Sequence, residues 1–199
     1  MPYTQIILAI LLGLGLSAGT GLNTFLPLLL VSAAARFHIA GVTLGEKFEW
    51  MTSDVAMIVL IVACVLELIG DKIPTIDHFL DVAGTFLRPL AGSLAAASVL
   101  SQLDPTAAMV VGLVIGAPTS FGFHTLKAGT RVASTATTFG CANPLISLIE
   151  DVIAFVLSVI AIFAPIVVPL ALALLVFVLW KLMQRVRATA AAPPAGSAR

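Results

Sequence analysis

One stretch of fifteen residues, between two apolar segments, holds side chains that could carry protons, gate a path or coordinate a metal. It reads E-L-I-G-D-K-I-P-T-I-D-H-F-L-D at residues 67–81, and its ionisable side chains are Glu67, Asp71, Lys72, Asp77, His78 and Asp81. Gly70 and Pro74 are typical of a solvated turn between two helices. Alternatively, the stretch folds back as a gate, or Asp77, His78 and Asp81, with Asp71, hold a hard cation such as Mg²⁺.

A second group of ionisable residues forms a basic stripe. Ser120, His124, Lys127 and Arg131 follow one another at spacings of three or four residues, so they share one face of a helix. Ionisable side chains at bilayer depth are costly and are therefore functional candidates. The stripe either attracts an anion inside the protein or, if the span ends near residue 126, marks its cytoplasmic end.

Acids elsewhere in the chain are available to neutralise this stripe. Glu150 and Asp151 open the fifth apolar segment, and Glu67 lies late in the second. Such acids could carry protons or a cation. Because acids and bases are nearly balanced, the sequence leaves the charge of a ligand open.

Arg88 follows Asp77 and Asp81 at spacings that place the three on one helical face if that helix starts early. We predict that Arg88 pairs with one of these acids. Neutralising Arg88 alone should harm folding more than removing both partners, because a buried charge without its partner is costly.

Two apolar segments are interrupted by small and polar residues. The first, G-L-G-L-S-A-G-T-G-L-N-T-F-L-P at 13–27, contains Thr20, Asn23 and Thr24, and the second, V-G-L-V-I-G-A-P-T-S-F-G-F-H at 111–124, contains Ser120 and His124. Glycine and proline break helices and free backbone groups for a ligand near the membrane midplane. Alternatively, the small residues only allow close helix packing.

Composition defines the class of protein, because 60% of the residues are hydrophobic and 10% are charged. This is typical of an integral membrane protein. The formal net charge is zero and no long basic run occurs, so the sequence predicts no nucleic-acid partner. Cys64 and Cys141 lack the close spacing of a redox pair or metal site and are interpreted as small buried residues. No cofactor is predicted.

Six apolar segments are long enough to cross a bilayer, for which about 20 residues are needed. They span roughly 5–36, 53–70, 82–102, 107–126 running on toward 138, 145–164 and 166–184. Lys181, Arg185 and Arg187 follow the last segment, so the positive-inside rule places that end, and with six spans both termini, in the cytoplasm. Residues 189–199 are predicted to be a disordered tail.

Internal similarity indicates a duplication. Gly13, Leu14, Ala18 and Thr20 recur 99 residues later, D-V-A-M-I-V-L at 54 aligns with D-V-I-A-F-V-L 97 residues later, and P-L-A at 89 recurs 80 residues later. The predicted fold is therefore all-α, a single transmembrane domain over 1–188. It would consist of two inverted three-helix repeats, about 5–102 and 106–184, each with a broken first helix.

Three stretches resemble a bacterial integral-membrane family known as domain of unknown function 4126. They are L-S-A-G-T-G-L-N-T-F-L-P at 16–27, the acidic stretch at 67–81, and F-L-R-P-L-A-G at 86–92. The resemblance runs from about residue 7 to the sixth apolar segment. It implies a membrane location and no particular substrate or reaction.

These observations favour a small transporter or channel for an ion or polar solute in the bacterial inner membrane, with the lipid bilayer as a partner and a homo-oligomer allowed. The alternatives are a structural or assembly subunit of a membrane complex and a metal-dependent enzyme acting on a lipid head group. The predicted solute ligands are Thr20, Asn23, Thr24, Ser120, His124, Lys127 and Arg131. The predicted gating or ion-coupling residues are Glu67, Asp71, Lys72, Asp77, Asp81, Arg88, Glu150 and Asp151.

Overall fold

Helix is the regular structure throughout the part of the chain that the structure describes. The computed structural model describes residues 2–190, apart from the side chains at positions 2, 74, 75, 78, 137, 182, 183 and 185–190. The helices are α1 (Pro2–Leu22), α2 (Leu26–Arg36), α3 (Asp54–Gly70), α4 (Pro74–Ser98), α5 (Pro105–Thr138), α6 (Asn143–Phe163) and α7 (Val168–Ala190), with 3₁₀ turns at Ile39–Gly41, Glu46–Thr52 and Pro165–Val167. The predicted tail thus begins within α7, and residues 191–199 lie outside the described residues.

Several helices have the length and composition needed to cross a membrane. Three qualify in the described chain, Tyr3–Leu22, Pro105–Ala136 and Asn143–Phe163, and a fourth does if Glu46–Thr52 and α3, bent by 67°, count as one span. Apolar side chains such as Val55 on α3 and Val114 on α5 are exposed on the outside of the bundle. A bilayer would cover them, which is consistent with a membrane protein.

The predicted number of six spans is not reached by these criteria. Leu26–Arg36 and the apolar part of the last helix, Pro165–Lys181, are shorter than a full span. Most of the third predicted span, 82–102, lies in α4, and the whole helix holds Asp77, Asp81 and Arg88, so α4 carries more charge than an ordinary lipid-facing helix.

The first apolar segment is broken where predicted, but the chain reverses there. The break is at residues 23–25, which we call the hairpin tip. Gly13 packs against Ala96 and the Ser17 hydroxyl donates to the carbonyl oxygen of Gly92, so α1 runs antiparallel to α4. Across the short α3–α4 turn, Gly70 packs against Leu80 and Glu67 lies beside Arg88, so α3 also runs antiparallel to α4.

The other half of the hairpin is fixed by contacts to α3. Thr24 contacts Glu67 near the end of α3, and Arg36 contacts Asp54 at its start, so α2 is antiparallel to α3. Therefore α2 is also antiparallel to α1. Residues 5–36 form a helical hairpin instead of one crossing, and they bring the chain back toward the end of the bundle where it began.

Helix directions depart from the predicted inverted repeat at its first pair of helices. Gly13 of α1 packs against Ala96 and Gly112 of α5 packs against Ala97, on the same part of α4. Further along both helices, Leu22 at the end of α1 contacts Lys127 of α5, so the two helices run parallel. An inverted repeat requires the matched helices α1 and α5 to be antiparallel. The sequence similarity between them therefore reflects a shared way of packing on α4.

The fourth apolar segment is not broken, contrary to the prediction. The helix α5 continues through Pro118 for 34 residues, about 51 Å at 1.5 Å per residue. Gly112 and Gly116 are used for close packing, because a Cβ on Gly116 would lie 2.3 Å from the carbonyl oxygen of Gly92. Small residues at helix interfaces allow backbones to approach in this way.

The bundle has two chemically different ends. The loop end contains the 37–53 connection and an apolar cluster that includes Leu12, Leu16, Val31, Met51 and Val99. At the turn end, α3 meets α4 and α5 meets α6. The ionisable residues singled out in the sequence lie toward this second end.

Candidate functional site

Four helices bring eleven ionisable side chains together toward the turn end. We call this group the charged cluster: Glu67, Asp71, Lys72, Asp77, Asp81, Arg88, His124, Lys127, Arg131, Glu150 and Asp151. The spacing of the basic stripe along α5 turns three of these residues to one face, where the α3–α4 turn covers them. The predicted solute-binding and gating groups are thus parts of one connected network.

Lys127 and Asp71 form the most deeply buried ion pair, with both side chains fully buried. Lys127 Nζ donates to Asp71 Oδ2 at 3.0 Å and to the carbonyl oxygen of Leu22, at the end of α1, at 2.9 Å. The Glu150 carboxylate lies 3.5 Å from the same ammonium group. One lysine therefore ties α5 to the ends of α1 and α3 and to α6.

Arg131 is surrounded by carboxylates. Its guanidinium donates to Asp77, to Asp81 Oδ2 at 3.2 Å and to Glu150 Oε2 at 3.1 Å. Asp77 precedes the apolar part of α4, and burial raises its pKa although the neighbouring Arg131 opposes that shift. Arg131 thus holds the start of α4 against α5 and α6.

Arg88 is completely buried and bridges α1, α3, α4 and α5. Its Nη2 lies 3.5 Å from Glu67 Oε1 and its Nη1 lies 3.9 Å from Asp81 Oδ1. The predicted pairing with Asp81 is present, and Glu67 is a second partner. Arg88 Nη1 also donates to His124 Nδ1 at 2.8 Å.

This contact fixes the form of His124. Arginine can only donate, so Nδ1 must accept, and the imidazole is the neutral tautomer with its proton on Nε2. Nε2 lies 3.2 Å from the hydroxyl of Thr85, which can accept that proton's hydrogen bond. Thr85 was not singled out in the sequence, although it lies one helical turn after Asp81.

Glu67 caps the second half of the hairpin. Its carboxylate accepts hydrogen bonds from the backbone amides of Thr24 and Phe25 and from the Thr24 hydroxyl, at 2.8 to 3.2 Å. A carboxylate at a helix N-terminus satisfies free amides and interacts favourably with the helix dipole. Glu67 therefore holds the hairpin tip in place.

Asn23 closes the tip from inside. Its side-chain oxygen accepts from the Leu26 amide at 3.0 Å, and its Nδ2 donates to Asp151 Oδ1 at 3.0 Å. Asp151 also pairs with Lys72 Nζ at 2.7 Å. The tip is thus linked through α6 to the α3–α4 turn.

A cavity of about 980 Å³ lies beside this network at the turn end. We call it the polar cavity. Asp71, Lys72, Asp77, Asp81, Thr85, His124 and Arg131 line it together with apolar residues such as Val82 and Val132 and with the α5–α6 turn. Exposed Phe139 and Cys141 are also in its lining, so the cavity reaches the protein surface.

The acidic stretch is not a solvated turn. Glu67, Asp71 and Asp77 are buried, because the stretch folds against the cations of α4 and α5. The basic stripe is equally buried, so Lys127 and Arg131 do not mark a solvated helix end. Cys64 is buried as predicted, whereas Cys141 is exposed.

The other predicted solute ligands lie in packed contacts. Thr20 Oγ1 lies 3.1 Å from Ser120 Oγ, which donates to the carbonyl oxygen of Arg88, and a Cβ on Gly21 would lie 2.4 Å from the Ser120 carbonyl oxygen. Asn23 and Thr24 are occupied at the hairpin tip. Their role as solute ligands stays a prediction, while His124 and Arg131 line the polar cavity.

Metal chemistry finds little support in this geometry. Among the side chains that the structure describes, no three His, Cys, Asp or Glu residues are grouped to hold a metal ion. Asp71, Asp77 and Asp81 are paired with Lys127 and Arg131 instead. The side chain of His78, the other predicted ligand, lies outside the described residues.

Comparison with known proteins identifies one family. The family model described as domain of unknown function (DUF4126) matches residues 10–185. No curated protein and no solved structure matches the chain significantly. The match covers all seven helices in whole or in part, and with them the charged cluster and the polar cavity.

Proposed function

We propose that this chain, which belongs to the family of unknown function DUF4126, is a small membrane transporter or channel for an ion or small polar solute. The polar cavity carries the proposal, because it places charged side chains beside a large open volume among membrane-length helices. Ionisable groups among membrane-spanning helices are costly and are kept where a solute or proton must be handled.

The proposed site differs from the one expected from the sequence. It is centred on Asp71, Asp81, His124 and Arg131, which line the cavity. The site expected from the sequence also contained His124 and Arg131 but lay around Asn23. The acidic stretch then contributes both to the binding site and to its closure. The hairpin tip, held by Glu67 and Asn23, is the broken-helix element that would respond to the ligand.

One-sided access supports a transporter more than an open channel. The polar cavity reaches the surface at the turn end, whereas the apolar cluster at the loop end is packed around Leu16, Val31 and Met51. An alternating-access protein presents its site to one side at a time. A rearrangement of the hairpin against α3 would be needed to open the other side.

We propose the inner membrane as the location, with the turn end in the cytoplasm. The basic residue Lys181 ends the apolar part of α7, and α7 runs parallel to α1, from Val168 beside Gly15 toward Leu22. Because residues 5–36 form a hairpin, the N-terminus then lies on the outer side. The prediction from six spans had placed it in the cytoplasm. Cysteine labelling from each side, at Tyr3→Cys and at Cys141 itself, would test this topology.

Flux into proteoliposomes tests the proposed function. Purified protein should accelerate the uptake of at least one small ion or amine, and Arg131→Gln should reduce that uptake. Glu46→Gln, at an exposed position of a 3₁₀ turn, is the control and should leave it unchanged. If neither simple ions nor small polar solutes cross faster than in empty liposomes, the proposal is wrong.

A structural or assembly subunit is the second candidate. The tight contact of Gly21 with Ser120 and of Gly112 with Ala97 favours it, because here the small residues serve packing and leave no space for a solute. Co-purification of one stoichiometric partner, together with an absence of flux, would favour this function over transport.

A further inference from the structure

The polar cavity has an excess of hydrogen-bond acceptors and of negative charge. Three carboxylates and two cationic side chains line it, and His124 is neutral. In the whole charged cluster six acids face four cations: Glu67, Asp71, Asp77, Asp81, Glu150 and Asp151 against Lys72, Arg88, Lys127 and Arg131. An anion entering this cavity would meet net repulsion.

Individual atoms give a second, independent observation. The Asp71 side chain is fully buried, yet its Oδ1 has no hydrogen-bond partner among the described residues. The same is true of the buried Asn143 Oδ1 and of Asp81 Oδ1, which lies 3.9 Å from Arg88 Nη1 without a hydrogen bond to it. All three residues line the polar cavity, where the matching unpartnered donor is Arg131 Nε. A buried carboxylate oxygen without a donor is unfavourable, so a ligand that donates hydrogen bonds would stabilise it.

The geometry distinguishes between kinds of cation. A divalent metal needs several oxygens that converge at about 2.0–2.6 Å, and no such group is present among the described side chains. An ammonium group needs only single acceptors in the directions of its N–H bonds. Val82, Ala128 and Val132, which line the same cavity, would contact a short hydrocarbon portion of such a ligand.

We infer that the polar cavity binds a small protonated primary amine, with the ammonium group donating to Asp71 Oδ1 and Asp81 Oδ1. This inference rests on the proposed function and specifies its substrate class. Asp81 is the more accessible of the two acids. Substitution of Asp81 should therefore disturb the fold less than substitution of Asp71.

Equilibrium binding to the detergent-solubilised full chain tests the inference. Calorimetric titration with methylammonium chloride should show saturable binding, weakened at least about tenfold by Asp81→Asn, because a charged hydrogen bond is lost. Glu46→Gln is the control and should bind as the wild type does. Tetramethylammonium, which has the charge but no N–H donor, should bind at least about tenfold more weakly than methylammonium.

Asp71→Asn removes the nearer of the two carboxylates beside the buried Lys127 and is expected to destabilise the fold. The double variant Asp71→Asn with Lys127→Met removes both charges and should fold, while methylammonium binding is lost. Equal binding of tetramethylammonium and methylammonium, binding of phosphate alone, or no binding of methylammonium would each overturn the inference.

The result is separable from that of the flux test. Binding is measured without a membrane or a gradient, so a protein that binds no amine but transports another solute refutes only the amine. A protein that binds methylammonium but supports no flux refutes only transport.

Discussion

The two ends of the helix bundle are held together by opposite means. At the loop end, Leu16, Val31 and Met51 are buried in an apolar cluster. At the turn end, α1, α4 and α5 are joined through Arg88, Lys127 and their carboxylates. Since α1 and α4 contribute to both ends, the contrast reflects local side-chain chemistry.

The difference indicates which end can change its structure. Apolar packing is non-directional and loses energy gradually as side chains shift. A buried ion pair has defined partners, and its carboxylates can exchange one cation for another. The turn end therefore has the means to respond to a charged ligand, and the loop end is the fixed part against which it would move.

Lys127→Met should give the largest loss of stability in this comparison. It leaves the fully buried Asp71 without its ammonium partner, and breaking such a pair costs about 3–5 kcal/mol. Adding Asp71→Asn should recover much of that loss. Chemical unfolding in detergent measures both variants, and a double variant no more stable than Lys127→Met would show that the pair is not the main contact.

Leu16→Ala probes the other end. Leu16 is fully buried in the apolar cluster, and a Leu→Ala exchange in a core costs about 2–5 kcal/mol. No second substitution at a charged residue should recover this loss, because Leu16 packs in a cluster of hydrophobic side chains. Folded Leu16→Ala protein should bind methylammonium like the wild type, and a weaker affinity would show that the two ends are coupled.

Gly116→Ala tests the packing that joins the two ends. The added Cβ would lie 2.3 Å from the Gly92 carbonyl oxygen, so α4 and α5 must separate, and such overpacking costs about 1–3 kcal/mol. Gly122→Ala is the matched control, because open space surrounds that position. It should preserve or slightly raise stability through better helix propensity. Equal unfolding midpoints would contradict the close contact.

The sequence predicted the composition of the site better than the topology that forms it. The spacing of Ser120, His124, Lys127 and Arg131 placed them on one face of a helix, and the structure has them there. Periodicity and charge are local properties, so they can be read from a single segment.

The helical hairpin could not be predicted in the same way. Residues 23–25 can bend a helix slightly or reverse it, and the choice depends on Glu67 and Asp151, distant residues that accept hydrogen bonds from Thr24, Phe25 and Asn23. Likewise, Gly112 and Gly116 predict a helix break in isolation but serve packing once α4 lies against them. Tertiary contacts decided both cases, and they also reversed the expected direction of α1 relative to α5.

Glu67→Gln should have the smallest effect on stability and the most specific effect on the hairpin. Glutamine keeps one oxygen that can accept from the Thr24 or Phe25 amide, so about 1–2 kcal/mol is expected from the loss of a charged acceptor. Its neutral head group also removes a partner of Arg88. Hydrogen exchange should therefore accelerate at the amides of Thr24 and Phe25, while Leu16 and Val31 keep their protection.

Since Glu67 joins α3 to the start of α2, faster exchange confined to residues 23–26 would identify the tip as the element that opens first. Faster exchange along the whole of α1 would instead show that the two ends unfold together, and the distinction between a responsive and a fixed end would no longer hold.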